Sequence, residues 1–166
     1  MTGSGPGELF ARVVTPHLPA AYRLALWLLR DPATAEDVTQ DAAERAFRHI
    51  ATFRGDNARA WVLRIVRNQA IETLRKTRPA SELDEELPDH APLPDAALLR
   101  AESETTLHAA LGALPPSLRE CLVMRELEEL SYRDIADIVG VPVGTVMSRL
   151  WKARQLLMAR TEGLRA

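Results

Sequence analysis

The chain reads as an all-α protein: two small helical domains joined by a flexible acidic linker, the second containing a helix-turn-helix. Three observations carry that reading. Apolar residues recur at three- and four-residue spacing through most of the chain. The stretch SYRDIADIVGVPVGTVMSRLWKARQLL, Ser131 to Leu157, divides into two amphipathic helices around a tight break. Charge is also unevenly distributed: residues 1–78 hold 12 basic and 8 acidic side chains, residues 79–104 hold 1 and 8, and residues 105–166 hold 8 and 7. A net charge of −2 therefore hides an acidic middle between neutral-to-basic flanks.

The elements follow in order. Residues 1–8 are small, polar and Gly-rich, the composition of a disordered terminus. Leu9 to Leu29 has helical spacing but contains Pro16 and Pro19, which predicts a kink or two pieces. Tyr22, Leu24, Ala25, Trp27, Leu28 and Leu29 are its expected core residues. Asp31-Pro32 breaks the run. Thr34 with Asp37 resembles a capping box and opens a helix to about Ile50, with Val38, Ala42, Ala46 and Ile50 on one side. TFRGDN at Thr52–Asn57 is a loop. A long helix from Ala58 to Lys76 buries Val62, Leu63, Ile65, Val66, Ala70 and Leu74 and shows Arg64, Arg67, Asn68, Glu72 and Arg75 on its polar arc.

Residues 79–104, rich in Pro and acid until about Asp95, read as the linker, giving domains at 8–78 and 105–166. A helix is expected from Ala96 to Leu114. Ser117 is the expected cap of the next helix, which carries Leu118, Cys121, Leu122 and Met124. Ser131 and Asp134 form a capping-box-like start, Gly140 ends that helix in the left-handed conformation, and Pro142 opens the last one. There Val143, Val146, Leu150, Ala153 and Leu157 make an apolar arc opposite Thr145, Ser148, Arg149, Lys152 and Gln155.

Hydroxyls, amides and guanidinium groups on one helix face suit a DNA major groove, although the same arc also fits a solvated bundle helix. The acidic set Asp37, Gln40, Asp41 and Glu44 reads either as solvated surface or as a dock for a basic helix. The basic helix after Asn57 suits phosphates, with base stacking near Phe53, or Arg stems covering core edges.

Composition narrows the classes. No apolar run approaches the roughly 20 residues of a membrane span, and the N-terminus has no secretion-signal pattern. The one cysteine, Cys121, excludes an intramolecular disulfide and fits a reducing cytoplasm; on an apolar side, it is expected to be buried and inert. His17, His49, His90 and His108 lack metal-ligand spacing, and no phosphate loop or nucleophile elbow occurs. No metal, cofactor or catalytic residue is expected.

In combination, AEDVTQDAAERAFR at Ala35–Arg48, FRGD at Phe53–Asp56, AWVLRIVRNQAIETLRK at Ala60–Lys76 and LPPSLRECLVMRELEELSYRDIADIVGVPVGTVMSRLWKAR at Leu114–Arg154 resemble the extracytoplasmic-function (ECF) class of bacterial RNA polymerase sigma factors. The stretch from Gly55 to Trp61 is about a residue shorter than the commonest pattern, Pro142 stands where Ser is frequent, and Lys152 where Arg is frequent. The resemblance implies that Asp37, Gln40, Asp41 and Glu44 meet the clamp helices of the polymerase largest subunit. It implies that Thr52, Phe53, Arg54, Asp56, Asn57, Arg64, Arg67, Asn68 and Arg75 act at the minus-ten element, the loop taking an unstacked base. Arg133, Thr145, Ser148, Arg149, Lys152 and Arg154 would act at the minus-thirty-five element, with Arg133 and Arg154 on phosphates. Core polymerase (clamp helices and flap), promoter DNA and an anti-sigma factor are the implied partners, in the cytoplasm. A stand-alone repressor or activator is the competing reading; it usually needs dimer symmetry, and no dimerisation helix is evident.

Overall fold

The computed structural model describes residues 3–77 and 103–165, and every regular element among them is helical. The first half comprises α1 (Pro6–Val13), α2 (Leu18–Leu29), α3 (Pro32–His49) and α4 (Ala58–Thr77). The second comprises α5 (Ser103–Gly112), α6 (Pro116–Glu126), α7 (Tyr132–Val139) and α8 (Val143–Arg165). Residues 78–102, which hold most of the expected linker and the start of the helix expected from Ala96, lie outside the described residues.

Local chemistry sets the helix ends. The two prolines after Leu9 divide that run at Val14, where a 3-10 turn over Thr15–His17 separates α1 from α2. Helix already begins at Pro6, so residues 6–8 are ordered rather than part of a disordered terminus. The cap of α3 is Asp31, not Thr34: its carboxylate accepts from the Thr34 amide at 3.0 Å, and Pro32 fills the first helical position, where a missing N–H costs nothing. Likewise α6 starts at Pro116 behind Pro115, leaving Ser117 inside the first turn rather than capping it. Ser131 does cap α7, its hydroxyl accepting from the Asp134 amide at 3.1 Å, and Gly140 closes that helix at φ +79°.

α2, α3 and α4 pack as a three-helix bundle over Leu24, Ala25, Leu28, Val38, Ala42, Ala46, Leu63, Val66 and Ala70. Of the core expected on α2, Tyr22, Trp27 and Leu29 are only half-buried. In the second half α6 and α7 both lie on α8, which inserts Val146, Leu150 and Ala153. Val143, expected in that arc, is 41% exposed: it is the first residue of α8, and the stripe enters the core only from Val146.

The halves do not stand apart. α6 packs on α2 and α7 on α4, so a single cluster of buried side chains runs from Val14 to Ala153. α6 is covered all round from Leu118 to Met124, including its charged Arg119 and Glu120. Burying charge requires partners. Arg119 Nη1 donates to the Trp27 carbonyl at 3.0 Å, and Glu120 is held by Arg67. The Trp27 ring also stacks on His108 of α5 at 4.5 Å. Gly112, at the end of α5, admits the Arg30 guanidinium so closely that a Cβ there would lie 1.2 Å from Nη1.

Candidate nucleic-acid interface

The polar face of α8 is present but uneven. Ser148 is exposed and donates to the Thr145 carbonyl at 3.0 Å; Thr145 and Lys152 are half-buried, and Arg133 stands exposed on α7. Arg149 is half-buried, within hydrogen-bonding reach of Cys121. That thiol is fully buried and pushed up to about 12, first by desolvation and then by the neighbouring Glu120 charge, so it is unreactive. Arg154 is paired with Glu126 at 2.9 Å, an exposed contact that a phosphate could replace at little cost. Beside this face runs a stripe that amphipathic counting did not single out: Met147, Trp151 (66% exposed) and Met158.

On α4, Arg64, Asn68 and Arg75 are exposed at spacings that share one helix face. Arg67 leaves that face. Its Nε and Nη2 form a two-pronged contact with the Glu120 carboxylate at 2.8 and 3.0 Å. In the preceding loop Arg54 and Asp56 are exposed. Thr52 donates to the His49 carbonyl at 2.6 Å, and the Phe53 ring lies 5.0 Å from Trp61. Asn57 does two structural jobs: its Oδ1 accepts from the Ala60 amide, capping α4, and its Nδ2 donates to Asp134 at 3.1 Å.

Asp37, Gln40, Asp41 and Glu44 line the open side of α3, where Glu44 approaches Arg48 at 3.8 Å. Next to them Phe10 and Phe47 meet edge-to-face at 5.6 Å around a shallow notch that Gln40 and Glu44 also line.

Four important residues were not singled out in the sequence. Glu128 is 1% exposed and accepts from Arg23 (2.9 Å) and Arg59 (2.7 Å), both from the first half. Burial alone would raise its pKa; the two guanidinium groups outweigh this and hold the carboxyl below its ordinary range. Glu120, likewise 1% exposed, is the fourth. The available signal was an acid inside the apolar run LRECLVM, a position that demands a cation.

Comparison with known proteins follows this division. Residues 13–79 match the family description "Sigma-70 region 2" and residues 105–157 "Sigma-70, region 4". The chain is 40% identical over 166 residues to the RNA polymerase sigma-H factor of Pseudomonas aeruginosa, covering 92% of this chain and 86% of that one. It is 34% identical over 141 residues to the ECF RNA polymerase sigma-E factor of Escherichia coli K12, covering 77% and 74%. Among solved structures, the sigma factor RpoE in complex with the anti-sigma factor NepR from Bartonella quintana superposes with a TM-score of 0.73 at 27% identity, over 92% of this chain and 96% of that one. CnrH in complex with the cytosolic domain of CnrY gives 0.67 at 25%, over 93% and 88%. Region 2 supplies the half with the acidic α3 and basic α4, region 4 the half with the helix-turn-helix, and the chain belongs to the ECF class of RNA polymerase sigma factors.

Proposed function

We propose that this sigma factor binds core RNA polymerase through the open face of α3, reads the minus-thirty-five element with α8 and the minus-ten element with α4 and its loop, and promotes strand opening. Its domains are 8–78 and 105–166, joined by the acidic segment. The observation that carries this is the α3 face: Asp37, Gln40, Asp41 and Glu44 are all exposed, on a helix whose other side supplies the bundle core. Four polar or acidic groups with no packing role suit the basic clamp helices of a polymerase, where complementary charge speeds and orients docking. α8 offers Ser148, Arg149 and Lys152 to base edges and phosphates. Arg64, Asn68 and Arg75 follow the minus-ten backbone, and capture of a base by the Thr52–Asn57 loop offsets the cost of unpairing.

No residue is assigned a covalent step: the chain binds and positions. Among the described residues no helix is long and apolar enough to cross a membrane, and the work lies in the cytoplasm, where core polymerase is. The two superposing relatives are in complex with an anti-sigma factor and with a cytosolic partner domain, which supports an anti-sigma partner for this chain also. Run-off transcription from genomic fragments with purified core polymerase tests the proposal. Asp41→Lys is expected to reduce capture by core while leaving helical content intact. Undiminished capture would remove α3 as the interface, and failure of the unmodified chain to bind core would favour a stand-alone DNA-binding regulator.

A further inference from the structure

α8 carries apolar side chains where the bundle has no use for them. Val146, Leu150 and Ala153 fill its core side, yet Met147, Trp151 and Met158 each leave more than half of their surface in water. Residues three and four apart are neighbours on a helix surface. Trp151 therefore stands beside Met147, with Ser148 and Gln155 of the polar arc on one side and Arg154 on the other. It belongs to neither the core nor the hydrogen-bonding set, and an indole left in water forgoes one of the largest apolar gains a side chain offers.

Charge and size say what covers this stripe. Residues 143–161 hold four basic side chains and no acidic one. A second copy of α8 would set like charge against like, and three side chains fall well short of the roughly 800 Å² per partner that a stable interface buries. A polyanion with an apolar handle fits instead. Duplex DNA is one: among the base edges of the major groove, thymine alone adds a methyl group to the row of donors and acceptors. Recognition helices insert their N-terminal turns. Met147 and Trp151 are the fifth and ninth residues of α8, about 6 Å apart along its axis, and share their turns with Ser148 and Lys152. The groove is about 12 Å wide. Met158, roughly 10 Å beyond Trp151, lies past it.

We infer that Trp151 is a specificity-determining residue for the minus-thirty-five element: its indole reads a thymine methyl group in the major groove, with Met147 excluding water beside it. Ser148, Arg149 and Lys152 supply hydrogen bonds and charge, and neither distinguishes a pyrimidine methyl from a hydrogen. Trp151 supplies the contact that does. The element this chain prefers therefore includes a thymine set against the third turn of α8. This inference rests on the proposed seating of α8 in the minus-thirty-five groove.

The test uses holoenzyme, the full chain with core polymerase, on a cognate promoter found by run-off transcription. Each thymine of the minus-thirty-five element is replaced singly by deoxyuridine, which removes one methyl group and leaves every hydrogen-bonding edge in place. At one position the parent should bind the uracil duplex about fourfold more weakly, the worth of one buried methyl. Trp151→Ala should bind both duplexes alike there, at unchanged helical content, while Trp151→Phe should keep the preference. Met158→Ala, past the groove, should keep it too. An element without thymine, or a Trp151→Ala holoenzyme that prefers thymine wherever the parent does, would overturn the inference. So would a Trp151→Ala chain that is captured less by core, or loses a dimer, with its thymine preference intact: the stripe is then a protein-docking face. If Arg149→Ala loses promoter discrimination while Trp151→Ala changes nothing, only this inference falls. If neither variant changes recognition, the seating of α8 falls with it.

Discussion

The guanidinium of Arg149 is half-buried on α8 within reach of the Cys121 thiol, so it faces both the protein and the solvent in which the proposed groove would lie. Cys121 is no competitor for a base: a protonated thiol is a weak acceptor, whereas guanine O6 and N7 accept two hydrogen bonds from one Arg. Arg149→Ala is therefore expected to cost about 1–3 kcal/mol in promoter discrimination, read as the loss of preference between cognate and mixed-sequence DNA in a competition assay. Equal preference in parent and variant would take Arg149 off the reading face. The side-chain inventory of this face was legible because helical periodicity alone brings Thr145, Ser148, Arg149 and Lys152 to one side. Their individual engagements were not: whether an Arg reaches solvent, a thiol or a carboxylate depends on a helix from elsewhere in the chain. Arg67 shows the same limit most sharply. Spacing puts it on one polar arc with Arg64 and Asn68, and the family resemblance gives that arc to the minus-ten element, yet it turns to Glu120, a residue 53 positions away.

At the scale of elements, the helix-turn-helix is written almost entirely in local chemistry. Ser131 caps, Ile135, Ala136, Ile138 and Val139 are buried, and Gly140 terminates. At φ +79° a side chain meets its own backbone, with open space around it otherwise. Gly140→Ala should therefore destabilise the protein by about 1–2 kcal/mol, seen as a lower urea midpoint at constant slope; an unchanged midpoint would mean the turn relaxes. The starts of α3 and α6 were placed two or three residues wrongly for one shared reason. The hydroxyls of Thr34 and Ser117 attracted the assignment, whereas the prolines at 32 and 116 already define the first helical residue.

At the scale of the whole molecule, the closed arrangement makes stability depend on pH. The Glu128 carboxyl is held below its ordinary 4.5 by Arg23 and Arg59 despite its burial. Its contribution is complete above 4.5 and is lost as pH falls through the lower folded-state value. His17 is lowered from 6.5, first by burial and then by the Arg59 charge. The unfolded chain therefore takes up that proton first, and stability begins to fall once pH drops below 6.5. Two successive losses on acidification are expected. Urea midpoints measured at about pH 7.5, 5.5 and 3.5 would show them, and a flat series would contradict both assignments.

The amino-acid sequence by itself determined the all-α class, two helical halves, the helix-turn-helix and the family, because each rests on periodicity, capping and motif order within one segment. Only the tertiary structure decided that the halves close on each other, that Arg67 and Asn57 face region 4, and that Glu120 and Glu128 are buried between Arg side chains. The physical reason is range. A helix signals itself every three or four residues, whereas an ion pair between residues 23 and 128 leaves no trace until packing excludes the water around it.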